Sequence, residues 1–152
     1  MTNDEIISTL NDLIKTCNDG KEGFKTCAED AQVSSPNLIS LLRQRESECA
    51  GASSELSSLV RQFGEAPTTG STASGALHRG WLNVKTAITG KSDVAVLEEC
   101  ERGEDIAKKS YSKALEQALP PAIRVVVERQ YQGVLRNHDQ MKMLRDEARA
   151  HA

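Results

Sequence analysis

The sequence predicts an all-α fold: four long helices arranged as two hairpins, with a long crossover containing a short helix between the second and third. Three observations carry this prediction. Strand-like alternation is nearly absent, and the long runs repeat apolar residues three and four apart. Aromatic residues make up only 3% of the chain, and Gly and Pro fall mostly between the runs. The breaks are unequal: short at "SSPN" (34–37) and at the paired prolines 120 and 121, long over residues 65–92.

The first helix is expected from about Asn3 to Glu29. Thr2 or Asn3 caps it, and Asp4 and Glu5 sit in the first turn, where carboxylates meet the helix dipole favourably. Its apolar stripe is Ile6, Leu10, Leu13, Cys17, Gly20, Phe24 and Cys27. A glycine on that stripe costs helix propensity, so Gly20 marks either a close helix contact or a local irregularity. Ser35 caps the second helix with Pro36 at its first position, and Gly64 ends it after Phe63. It spans about 43 Å at 1.5 Å per residue and turns Leu38, Leu41, Leu42, Cys49, Ala52, Leu56, Leu59 and Phe63 inward.

In the crossover, "EAPTTGSTASG" reads as loop and "ALHRGWLNVKTAI" as a short helix. Asp93 caps the third long helix, which carries Val94, Leu97, Cys100, Ala107, Tyr111, Ala114 and Ala118 on one side and stops before the prolines. The fourth, with Ile123, Val127, Val134, Met141 and Leu144 inward, begins there. One long connection between the second and third helices is the hallmark of a ferritin-like four-helix bundle.

At 152 residues the chain holds one hydrophobic core and is expected to form a single domain over 1–152. A net charge of -3 excludes the basic excess of a nucleic-acid surface. The acidic start "MTNDEIISTLNDLI" lacks the features of a secretory signal, and no apolar stretch is long enough for a membrane span. A cytoplasmic location is the expectation. The four Cys, at 17, 27, 49 and 100, follow neither zinc nor disulfide spacing and read as buried small hydrophobes in a reducing compartment.

No residue pair spells Glu-x-x-His, so an orthodox di-iron site is not expected, and no cofactor is assigned. Inward polar residues remain. Glu104 falls on the apolar face of the third helix, Gln130 and His138 on that of the fourth, and Arg45 and Glu55 flank that of the second. A buried carboxylate needs a partner. Glu104 is therefore expected to pair with Arg45 or His138 and fix helix register, the alternative being a metal site built from Glu55, Glu104 and His138. Asp12, Asp19 and Glu22 form a further acidic set, with Asp19 and Glu22 on a mostly solvent-facing side. In the crossover, Trp81 anchors the short helix against the bundle, and the ligand-binding candidates are His78, Arg79 and Trp81, suited to a small anion.

The blocks "LNDLI…DGKEGF…AED", "GALHRGWLNVKTAITG" and "ERGEDIAKKSYSKAL" followed by "LPP" resemble, over essentially the whole chain, the bacterial ferritin-like four-helix-bundle proteins of domain of unknown function 2383. The matching positions are Asn11, Asp12, Asp19, Gly20, Gly23 and Phe24, then Gly75, His78, Arg79 and Trp81, then Gly103, Glu104 and Tyr111. The resemblance implies a ferritin-like bundle and no particular activity. Related ferritin-like families bind two irons, and the missing Glu-x-x-His pairs argue against that role here. A noncatalytic bundle acting through self-association or a protein partner, in a stress-related role, is the leading expectation. A homo-oligomer, most simply a dimer, follows from it. Metal binding or oxidoreductase chemistry, and binding of a small anion at the crossover, are the alternatives.

Overall fold

A computed structural model of the chain describes residues 1–30, 36–70 and 93–150. The candidates His78, Arg79 and Trp81, the short crossover helix and Ser35 lie outside the described residues. Within them the chain is all-helical: α1 Asn3–Asp30, α2 Pro36–Arg61, α3 Asp93–Leu115 and α4 Pro121–Ala150.

Local chemistry sets the helix ends. Thr2 is the cap of α1: its Oγ1 accepts from the Glu5 amide at 3.1 Å, and the Glu5 carboxylate accepts from the Thr2 amide at 3.2 Å, a reciprocal capping box. Helix α2 ends at Arg61, two residues before the expected Phe63. The amides of Phe63 and Gly64 reach back only three residues, to Val60 and Arg61, and Gly64 takes the left-handed conformation at φ 79°. Helix α3 likewise stops at Leu115, short of the prolines. Arg124 donates Nη2 to the carbonyls of Leu115 and Gln117 at 3.0 and 2.6 Å, taking up backbone groups that a longer helix would use itself. Ala118 is consequently exposed rather than inward.

The predicted α1 stripe is buried throughout. In α3, Val96 is buried and Val94 only partly. Gly20 marks a close contact: a Cβ there would stand 3.1 Å from Cys49 Sγ on α2. Gly51, in contrast, has open space around it. Gly51→Ala is therefore expected to raise stability by about 0.5–1 kcal/mol through helix propensity alone, measured as a higher urea midpoint with unchanged slope.

The core has two parts. One joins the first half of α1 (Ile6, Leu10, Leu13, Ile14, Cys17) to the last half of α2 (Leu56, Val60), the end of α3 (Tyr111, Ala114) and the start of α4 (Ile123, Val127). The other joins Phe24 and Cys27 to Leu38 and Leu42 of α2, Val96, Leu97 and Cys100 of α3 and Met141 of α4. Helix α1 thus runs antiparallel to both α2 and α3, while α2 and α3 run the same way. After α2, the described residues up to Gly70 lie along α1: the Thr68 amide donates to Asn11 Oδ1 at 3.1 Å, and Asn18 Nδ2 donates to the Gly70 carbonyl at 2.8 Å. Ser53 Oγ of α2 completes the seam on Asn18 Oδ1 at 2.8 Å.

Candidate functional site

Between the two apolar clusters the bundle has a polar waist. Helices pack closely within each hairpin, and the hairpins meet chiefly through α1 and α3. Helices α2 and α4 are bridged by side chains instead: Gln130 Nε2 donates to Glu55 Oε1 at 2.8 Å, Arg129 contacts Glu55, and Asn137 Nδ2 donates to Glu48 Oε2 at 3.1 Å. This looser side leaves a cavity of about 590 Å³ lined by all four helices.

Small residues create the space: Gly20 of α1, Gly51 and Ala52 of α2, and Gly103 and Ala107 of α3. Phe24 and Val134 add apolar wall. The polar groups converge on an ion pair at the waist. Arg45 donates Nε and Nη2 to Glu104 Oε1 at 3.0 and 2.8 Å, with side chains 5% and 2% exposed. Its third nitrogen contacts Glu48, and its guanidinium lies 5.2 Å from the Phe24 ring centroid. Beside the pair, Tyr111 donates its hydroxyl to Gln130 Oε1 at 2.8 Å and stands 3.3 Å from Cys17 Sγ.

Burial dominates the electrostatics. It pushes the Glu104 carboxyl above the ordinary carboxylate range, and Arg45 draws it only part of the way back. Burial also pushes the Cys17 thiol up to about 11 and the Cys49 thiol and Tyr111 hydroxyl well up. Cys27 and Cys100 lie 3.7 Å apart as free thiols, and their contact, with burial, raises Cys100. The waist thus holds neutral thiols and a closed ion pair, and none of the described residues there is poised as a nucleophile.

Glu104 pairs with Arg45, one of the two partners expected of it. Arg45 is fully enclosed rather than flanking the stripe. Glu55, Glu104 and His138 are not brought together: Glu55 turns to Arg129 and Gln130, and His138 to Asp105, 2.5 Å away. A di-iron centre does not fit the waist, because among the described residues no His lines the cavity, and a guanidinium is already bonded to its central carboxylate. Asp19 is buried at 5% exposure, contrary to its expected solvent-facing position, whereas Asp12 and Glu22 are exposed.

The family model for a domain of unknown function (DUF2383) matches residues 5–117. The chain belongs to this family. The DUF2383 match covers α1 to α3 and stops before α4, so it spans less than the whole-chain resemblance read from the sequence blocks. No curated protein matches the chain. The cavity residues of α1, α2 and α3, among them Gly20, Phe24, Gly103, Glu104 and Tyr111, fall within the matched region. Gln130, Val134 and Arg136 come from α4, outside it. No described helix is long and apolar enough to cross a membrane.

Proposed function

We propose that this DUF2383 chain is a noncatalytic binding protein whose waist cavity takes one small organic molecule with an apolar body and a single anionic group. The observation that carries the reading is the cavity itself. At about 590 Å³ it lies within the roughly 300–1,000 Å³ of small-molecule sites, and such sites recur between the helices of bundles. Its wall is largely apolar, with a few convergent polar groups. Of its three arginines, Arg45 and Arg129 face glutamates, whereas Arg136 has no acid partner among the described residues. Arg136 is the group offered to an anion.

The parallel course of α2 and α3 supports a ferritin-like topology for the bundle. The raised thiols and the closed Arg45–Glu104 pair support a binding role over a catalytic one. Self-association finds less support. Large exposed apolar side chains among the described residues are Met1, Val125 and Met143, the last two about 27 Å apart along α4.

Decanoate titrated calorimetrically into the chain is expected to bind once per chain. Ala107→Trp, which fills the cavity, is expected to abolish binding while the helical circular dichroism is kept. Arg136→Glu is expected to weaken it about tenfold, or about 1.4 kcal/mol. Binding that survives Ala107→Trp unchanged would place the ligand elsewhere and defeat the reading.

A further inference from the structure

On the seam between α3 and α4, away from the cavity, a second constellation stands. Glu101 and Asp105 are four residues apart on α3 and so share a face. His138 of α4 projects between them. One atom from each of the three side chains lies within 4.8 Å of the others. His138 Nε2 is 2.5 Å from Asp105 Oδ1 and 3.9 Å from Glu101 Oε1. We propose that these three side chains form a binding site for one divalent transition-metal ion.

The case is geometric and chemical. Ligand bonds of about 2.0–2.2 Å in tetrahedral array put neighbouring donors about 3.3–3.6 Å apart, between the two separations seen here. Small rotations of Asp105 and Glu101 therefore suffice to close the shell. The ring already presents the correct nitrogen, because Nδ1 lies 3.4 Å from Asp139 Oδ1 and leaves Nε2 turned to the carboxylates. Arg145 takes the other oxygen of Glu101 and leaves Oε1 facing the imidazole. His138 is buried, Glu101 nearly so, and Asp105 about half exposed, giving an ion a path from solvent and room for a water as fourth ligand. One imidazole and two carboxylates are donors that suit zinc and its first-row neighbours. The site is separate from the waist: none of its three residues lines the cavity.

Cobalt(II) serves as the probe, added to chelator-treated wild-type chain, Asp105→Asn and His138→Gln. The wild type is expected to bind one ion per chain, with ligand-field absorption of four- or five-coordinate N/O ligation. Asp105 is half exposed, so its variant keeps the fold, and it is expected to weaken binding by at least the roughly 10–100-fold that loss of an outer-shell partner costs. His138→Gln is expected to abolish it. Binding unchanged in Asp105→Asn would overturn the proposal, as would a thiolate-to-cobalt charge-transfer band, which would place the ion on cysteine. Absence of stoichiometric binding by the wild type would overturn it equally.

Discussion

Arg45→Ala is expected to destabilise the chain by about 3–5 kcal/mol at neutral pH, because it strands a carboxylate at the centre of the bundle. Glu104 is 2% exposed, and two of the three Arg45 nitrogens are bonded to one of its oxygens. The loss should depend on pH with a definite sign. Burial already holds Glu104 above the ordinary value of 4.5, so the folded chain binds that proton more tightly than the unfolded chain. The stability this contributes is fully present below about pH 4.5 and is lost as pH rises through the folded pKa. Removing Arg45 removes the downward pull and widens that window. The deficit of Arg45→Ala is therefore largest near neutral pH and shrinks toward pH 4.5, where the stranded group is protonated. Replacing both partners with apolar residues, as in Arg45→Met with Glu104→Leu, is expected to recover most of the loss. Urea denaturation of the wild type and the two variants at pH 4.5 and 7.5 reads all of this. A deficit independent of pH would show that Arg45 acts only by packing.

Phe24→Ala is expected to cost about 3–5 kcal/mol, the range for deleting a buried aromatic side chain. Phe24 is 1% exposed, anchors the second apolar cluster and lies beneath the Arg45 guanidinium. Its ring also forms part of the cavity wall. The void it leaves joins space already present, so surrounding groups have little reason to collapse into it, and the cost should fall at the upper end. Denaturant unfolding measures the loss. A value below about 1 kcal/mol, typical of well-tolerated volume-conserving core changes, would mean that α1 and α2 repack across the waist.

The helices were readable because their signals are local. Thr2 with Glu5, Pro36, Gly64 and the paired prolines punctuate the chain, and the α1 stripe at three- and four-residue spacing is buried as predicted. Glu104 on an apolar face announced a buried partner, and Arg45 is that partner. What the sequence did not expose depends on how helices stand against one another. The cavity arises from Gly20, Gly51, Gly103, Ala52 and Ala107 meeting at one level, and that stagger is written in no single segment. Asp19 was misplaced because the burial of a position flanking the stripe depends on what packs over it, which periodicity within one helix does not contain. Glu101 and Asp105 did not stand out, because acidic residues are ordinary on a helix face. Their spacing of four was the available signal, and only the approach of His138 from α4 gives it meaning.

The most direct test of the cavity as a binding site is an amide NMR titration of the isotope-labelled chain with decanoate. Gly20, Gly51 and Gly103 line the cavity, and Gly64 caps α2 at the end of the bundle. The three cavity glycine amides are expected to shift together and saturate at one ligand per chain, while Gly64 stays in place. Shifts that fail to saturate, or that move Gly64 as much as the other three, would contradict a ligand seated at the waist.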